Sequence, residues 1–227
     1  MKLYFHPVST TSRPILFFAA DNSDLKLDLQ IVDLFTGEHM QPAYAAINPN
    51  KLVPVLDDGD FRLTESSSIL KYLADKIGSP AYPKDLQKRA RVNERMDWFN
   101  TGFYRDFAYG FVYPQIFPNN KRDNETVQAA VVAWGRDKTK EWLAVLDQHM
   151  IGPKNTYVCG GDAPTLADYF GAAMLTAGEA IHLDYAAYPN IQRWLAAMKA
   201  RPGWAKANEG FYKYLVEPFK GGSFQGL

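Results

Sequence analysis

The spacing of apolar residues predicts alternating strands and helices over the first third of the chain. Lys2–Phe5 is typical of a short buried strand, and Arg13–Ala20 is predicted to be a helix with Pro14 in its first turn. Leu25–Asp33 alternates between apolar and polar residues, as a strand does. This β-α-β order favours a parallel strand pair joined by a right-handed crossover.

The following residues predict an antiparallel hairpin flanked by two helices. Glu38–Ala46 is predicted to be a short helix, and Val53–Leu56 is a strand that contains a proline. The tight turn Asp57–Asp60 leads into a second strand, Phe61–Leu63. Ser66–Ile77 is predicted to be a helix with an apolar face. The order becomes β-α-β-α-β-β-α, which describes an α/β unit with one antiparallel edge.

Beyond this unit, the apolar residues are spaced only as they are in helices. The first apolar stripe consists of Val92, Met96, Phe99, Phe103, Phe107 and Phe111, and it meets Pro114, which should kink or end the helix. A second stripe consists of Val127, Val131, Trp134, Trp142, Leu146 and Met150. Further helices are predicted over Thr165–Ala180 and around Trp194, the last one ending before Arg201–Gly203. We therefore predict an α/β domain over residues 1–78, a linker over 79–85 and an all-α domain over 86–227.

Composition narrows the class of protein. The 227 residues carry 25 basic and 25 acidic side chains, so no charge pattern for nucleic acid or an anionic membrane is present. The single cysteine, Cys159, excludes an intramolecular disulfide and fits a reducing compartment. His and Cys residues are too widely spaced for a metal site. With no secretory signal and no apolar run longer than Ile15–Ala20, we expect a cytoplasmic protein without a membrane span.

Three segments contain candidate binding chemistry. The loop His6–Arg13 brings hydroxyls to a helix N-terminus, where amide donors and the helix dipole favour an anion such as a thiolate. In Leu52–Val55 a cis proline would expose a backbone edge to an extended peptide. Thr64–Ser66 precedes a helix and offers an acid for an ammonium group and amides for a carboxylate. Each has a plain structural alternative: helix or turn capping for the first and third, and a trans proline for the second.

A fourth motif, Thr165–Asp168, has the spacing of a helix-capping box, and we interpret it as structural. Cys159 is expected to be a buried residue without a chemical role.

Several segments together resemble the glutathione transferase superfamily, and its theta-like and bacterial branch most closely. Asn48–Leu56, Asp58–Ser66 and Ser68–Leu73 are similar to the family's N-terminal motif. Tyr82–Pro83 and the residues up to Trp98 are similar to the start of its helical domain. The resemblance implies a thioredoxin-like N-terminal domain, glutathione as co-substrate, no metal, and a homodimer.

The resemblance also implies roles for individual residues. Ser9, four residues before Arg13, matches the theta-like serine that donates to the glutathione thiolate. The expected glutathione-binding residues are His39, Lys51, Val53, Pro54, Glu65 and Ser66. The expected second-substrate residues are Tyr104, Arg105, Tyr109 and Tyr113.

The first loop departs from the family pattern. It is Ser9-Thr-Thr-Ser-Arg13 where Ser-x-Pro-Cys-Arg is usual, so Thr10, Thr11 and Ser12 are rival thiolate donors. The leading interpretation is an enzyme in which the glutathione thiolate attacks a small halide, peroxide or epoxide-type electrophile. The alternatives are a non-catalytic glutathione-binding protein and a glutathione-dependent disulfide reductase.

Overall fold

A computed structural model describes all residues, 1–227. The N-terminal third contains a four-stranded sheet with strand order β2-β1-β3-β4 and three helices. The elements are β1 (Lys2–Phe5), α1 (Arg13–Asp21), β2 (Asp28–Ile31), α2 (Pro42–Ala45), β3 (Val55–Asp58), β4 (Phe61–Leu63) and α3 (Ser66–Lys76).

Strand pairing confirms the predicted topology. β1 runs parallel to β2, with Leu3 opposite Leu29, and antiparallel to β3. β3 and β4 form the predicted antiparallel hairpin. Because side chains alternate across a sheet, Leu3 and Phe5 join the large core with α1 and α3, whereas Val55 packs with Tyr44 of α2 on the other face. The sheet therefore lies between α2 on one side and the other two helices on the other.

The second strand is less buried than its alternation suggests. Leu29 and Ile31 are about half exposed, because β2 is an edge strand and no helix covers this part of it. The next buried side chain is Val32, just past the end of the strand.

The rest of the chain is helical. α4 (Leu86–Asp97) continues through wider π-type turns, Trp98–Phe103 and Arg105–Val112, into α5 (Tyr113–Ile116). α6 (Glu125–Val145) is extended by similar turns at Leu146–Ile151, and α7 (Leu166–Leu175) by 3-10 turns at Thr176–Ile181. α8 (Pro189–Lys199) and α9 (Trp204–Phe211) follow. The apolar periods did not predict α9. None of these helices is long and apolar enough to cross a bilayer.

The stripe predicted for the first long helix is correct. All six of its members, from Val92 to Phe111, are fully buried. Pro114 lies in the first turn of α5, and that helix ends at Ile116.

The stripe predicted for α6 is wrong over most of its length. Val127 and Trp134 are about half exposed, and the buried face of α6 consists of Val132, Gly135, Thr139 and Leu143. This face is rotated by about one residue because Gly135 packs directly on the backbone of Gly110. The predicted periodicity becomes correct again only at Leu146 and Met150.

The two halves share one continuous core. A single cluster of 50 buried residues includes Leu3 of the sheet and Phe103 of the long helix. Arg13 of α1 is fully buried and donates to Thr176, Asn208 and the Ala173 carbonyl in the helical half. Its guanidinium also lies 3.7 Å from the centre of the Phe211 ring. Burial lowers the pKa of Arg13 to about 10, so its charge is retained at neutral pH.

Candidate functional site

A cleft of about 170 Å³ lies between the sheet domain and the first long helix. The sheet domain supplies Thr11, Asn48, Asn50, Leu52, Val53, Pro54, Thr64, Glu65 and Ser66, and the helical half supplies Asn100, Tyr104 and Tyr109. The structure thus brings four of the predicted glutathione-binding residues, Val53, Pro54, Glu65 and Ser66, onto one wall.

The segment before the proline is held by hydrogen bonds to a single carbonyl. The Tyr44 hydroxyl and the Asn48 amide both donate to the Leu52 carbonyl, at 2.8 and 2.7 Å. The Asn48 side chain is buried and also accepts the Asn50 N–H. The Val53–Pro54 peptide bond is cis, the first of the two alternatives that the sequence left open. The loop is therefore held in place by its own side chains, with Val53 and Pro54 against the cleft.

α3 begins at Ser66, as the predicted helix Ser66–Ile77 does. Ser66 is therefore not the helix cap, and Glu65 occupies the capping position with φ 66°. No side chain accepts from the first-turn amides, which leaves donors and the positive end of the helix dipole available beside the cleft. Glu65 is exposed and in the left-handed region, a backbone conformation that costs about 1–3 kcal/mol for a residue other than glycine.

The four hydroxyls of the first loop have different surroundings. Only Thr11 lines the cleft, and its hydroxyl donates to the Val53 carbonyl at 3.1 Å. Ser9 lies behind it, half-buried, with its oxygen 3.1 Å from that of Thr11 and 3.2 Å from the Ser12 amide. Thr10 is buried and accepts from Tyr113, and Ser12 is fully buried with no partner for its hydroxyl. The predicted thiolate donor, Ser9, is therefore one hydrogen bond away from the cleft wall.

A tyrosine cluster forms the helical wall of the cleft. The Tyr113 hydroxyl donates to Thr10 at 2.8 Å and lies 2.9 Å from the Tyr104 hydroxyl, so Tyr104 is the donor in that second bond. Tyr109 packs edge-on against both rings. Burial raises the pKa of Tyr113 to about 12 and that of Tyr104 well above its ordinary range. These phenols stay protonated at neutral pH and offer neutral, polarisable edges to a bound molecule.

Besides Ser9 and Tyr113, which lie behind the wall, three predicted site residues do not line the cleft. Arg105 pairs with Asp106 at 2.6 Å, and its side chain is two-thirds exposed on another face. Lys51 lies in the preceding loop at φ 56° and does not contribute to the wall. His39 lies near His6, outside the wall, and its Nδ1 is buried without a partner.

Comparisons with known proteins identify the family of the chain. Family models of the glutathione S-transferase N-terminal and C-terminal domains match residues 21–81 and 105–202. A solved delta-class glutathione transferase from Nilaparvata lugens has a TM-score of 0.81 and 34% identity, and the alignment covers 97% of this chain and 98% of that one. The chain belongs to the glutathione transferase family.

Two human theta-class comparisons fit the predicted branch. Human glutathione S-transferase theta-1 is 43% identical over 120 residues, which is 52% of this chain and 50% of that protein. The sequence alignment thus spans about half the length of the human relative. The apo structure of human glutathione S-transferase T1-1 has a TM-score of 0.79 at 29% identity, covering 95% of this chain and 90% of that chain.

Five residues of the cleft wall have no site role in the sequence prediction: Asn48, Asn50, Leu52, Thr64 and Asn100. Asn48, Asn50 and Leu52 belong to the family motif Asn48–Leu56, and Thr64 to the segment before α3, but the resemblance gives them no role of their own. Asn100 lies one helical turn before Tyr104, so its spacing of four residues placed it on the same face. That spacing was the available signal.

Proposed function

We propose that this glutathione transferase binds glutathione in the cleft and holds its sulfur as a thiolate at the N-terminus of α1. The thiolate attacks a small electrophile of the halide, peroxide or epoxide type. The observation that supports this most directly is the single wall that combines a loop hydroxyl, the Val53 backbone and the uncapped start of α3.

The wall suits the three parts of the tripeptide. The Glu65 carboxylate is the acceptor for the γ-glutamyl ammonium group, and Ser66 with the free amides of α3 receives its carboxylate. The Val53 backbone pairs with the cysteinyl part in strand-like fashion. We expect His39 and Lys51, which lie outside the cleft wall, to approach the remaining, glycyl carboxylate when glutathione is bound.

The reaction depends on stabilisation of the glutathione thiolate more than on a side chain that accepts the thiol proton. A free thiol has a pKa of about 8.5, and each unit of depression corresponds to about 1.4 kcal/mol. The helix dipole and a hydroxyl donor act on the sulfur where charge is present, and the thiol proton leaves to water. A sulfur–carbon bond then forms as the leaving group departs with its electron pair. For a peroxide, a sulfur–oxygen bond forms and the oxygen–oxygen bond breaks.

The tyrosine cluster lies where the electrophile approaches. Tyr104 and Tyr109 are on the wall opposite Val53, and Tyr113 lies behind them. We also expect a homodimer in the cytoplasm. Exposed apolar residues on both halves, Leu52 and Phe61 on one and Trp134 on the other, supply surfaces of the kind that pair in dimers.

Calorimetric titration with glutathione tests binding. Glu65→Gln removes the charge that faces the ammonium group, and a charge-assisted hydrogen bond is worth about 1.5–3 kcal/mol, so we expect the affinity to fall by about tenfold or more. Glu209→Gln, an exposed acid of α9 outside the cleft, is the matched control and should bind as the parent does. Equal affinity of the parent and Glu65→Gln would contradict the assignment.

A turnover screen then separates the functional alternatives. Conjugation of an alkyl halide or an epoxide, or reduction of an organic peroxide, with consumption of glutathione supports the transferase. Tight glutathione binding without turnover on any of these would favour a binding protein. Turnover only on a glutathione mixed disulfide would favour a reductase.

A further inference from the structure

The arrangement of loop hydroxyls carries an assignment that the sequence pattern did not decide. We propose that Thr11 is the residue that donates to the glutathione sulfur, and that Ser9 is a positioning residue that acts through it. This rests on the proposed function, because it concerns the sulfur of glutathione bound in the cleft. Thr11 occupies the position where the family pattern has a proline, so the hydroxyl is a feature of this chain.

Position is the first argument. Thr11 lines the cleft together with Val53, Glu65 and Ser66, the residues proposed to hold the tripeptide. Ser9 does not line it. A hydrogen bond to sulfur requires direct contact, so a group behind the wall acts only through the group in front of it.

The proton positions are the second argument. A hydroxyl carries one proton, and that of Thr11 is donated to the Val53 carbonyl at 3.1 Å. The 3.1 Å contact between the Ser9 and Thr11 oxygens therefore has Ser9 as its donor. Ser9 in turn accepts the amide of Ser12, the capping residue just before α1, at 3.2 Å. The result is a directed chain from the helix N-terminus, through Ser9 and Thr11, to the cleft.

Elimination of the other two hydroxyls is the third argument. Thr10 is 4% exposed and its oxygen accepts the Tyr113 proton, so it faces the helical domain. Ser12 is fully buried beneath the loop. Neither hydroxyl reaches a ligand in the cleft, which leaves the pair Ser9 and Thr11.

Binding of glutathione explains how the Thr11 proton becomes available. A cysteinyl N–H that pairs with the Val53 carbonyl competes with Thr11 for that acceptor. A rotation about the Thr11 Cβ–Oγ1 bond then turns its O–H towards the sulfur without moving the oxygen, so Ser9 still donates to it. Hydrogen bonds in a chain polarise one another, so the Ser9 bond strengthens Thr11 as a donor. The bond is a donation only: the thiol proton goes to water, and no covalent bond forms with Thr11.

The test compares four variants of the full-length protein with glutathione as ligand. Thiolate absorbance in the ultraviolet, recorded against pH, gives the pKa of bound glutathione. Thr11→Val, which removes the hydroxyl and keeps the shape, should raise that pKa by about one unit or more. Thr11→Ser should restore the parent value, and Ser9→Ala should raise it by less than Thr11→Val does. Ser12→Ala is the matched control, since its buried hydroxyl has no partner, and should leave the pKa unchanged.

Calorimetry with S-methylglutathione, which has no thiol, separates folding and binding from sulfur stabilisation. Thr11→Val should bind it within about twofold of the parent; if this variant does not fold, Thr11→Ala makes the same comparison. A raised pKa in Ser9→Ala with an unchanged pKa in Thr11→Val would overturn the assignment and leave the proposed function intact. A parent protein that binds neither glutathione nor S-methylglutathione would instead remove the proposed function itself.

Discussion

The contact between α6 and the cleft helix should be unusually sensitive to one methyl group. Gly135 lies so close to Gly110 that a Cβ built on it would be 2.3 Å from the Gly110 carbonyl carbon and oxygen and 2.9 Å from the Phe111 nitrogen. All three atoms belong to the backbone, so no side chain can rotate away. In Gly135→Ala the two helices must separate by about 1 Å to reach the distance of ~3.5 Å at which such atoms pack.

The expected cost follows from two opposing effects. Overpacking of this kind costs about 3 kcal/mol or more when backbone has to move. Alanine recovers about 1 kcal/mol through its higher helix propensity. We expect a net loss of about 2–3 kcal/mol, which for a chain of this size lowers the melting temperature by roughly 5–10 °C. Because Arg105–Val112 carries Tyr109 on the cleft wall, the KM for the electrophile should also rise.

Gly110→Ala is the matched control, since it adds the same methyl group from the other side of the contact. Its Cβ would be 3.4 Å from the Gly135 Cα and from the Trp134 ring, which is close to an ordinary contact. We expect a change within about 1 kcal/mol of zero, because the propensity gain offsets the tighter packing. The assay is thermal and urea unfolding at one fixed protein concentration, since dimer formation would make the midpoint concentration-dependent. Equal melting temperatures for Gly135→Ala and the parent would refute this reasoning.

Three further predictions concern buried groups. Asp168→Asn should lower the free energy of unfolding by about 1–3 kcal/mol, because the new NH2 group would face the Thr165 amide and hydroxyl that now donate to the carboxylate. An unchanged urea midpoint would contradict this. Burial raises the pKa of Cys159 from 9.0 to about 11, so less of the reactive thiolate is present in the folded protein. At pH 8 the folded protein should react with a disulfide reagent about 100-fold more slowly than the urea-unfolded protein, and its rate should increase as the pH rises. Equal folded and unfolded labelling rates would disprove this. Asp21→Ala should lower stability by about 3–5 kcal/mol, since its buried carboxylate accepts from Tyr169, Arg201 and the Gly203 amide; a smaller loss than for an exposed acid such as Asp24→Ala would refute it.

Local patterns in the sequence predicted the sheet topology and every helix that flanks the cleft, although not α9. Some patterns depend only on near neighbours along the chain: the period of two in β1, the turn at Asp57–Asp60 and the helical period from Val92 onward. The structure confirms the elements that these patterns predict. The predicted capping pair at Thr165 is also local, and the Asp168 carboxylate accepts the Thr165 amide at 2.7 Å. The combination of Val53–Pro54 with Glu65–Ser66 was specific enough to indicate the family, which the comparisons establish.

Tertiary structure decided which way the side chains face. Two apolar stripes one residue apart both have a helical period on α6, and only the close approach of Gly135 to Gly110 selects the buried one. Arg105 follows Tyr104 on the same helix, yet its bond to Asp106 directs it away from the cleft.

The first loop shows the same division most clearly. Its four consecutive hydroxyl residues, Ser9 to Ser12, cannot be told apart as thiolate donors from the sequence. They differ only because the loop folds against Val53 on one side and Tyr113 on the other, which leaves Thr11 alone on the cleft wall. A sequence specifies which groups can hydrogen-bond, whereas their partners and their access to a ligand depend on segments far apart along the chain.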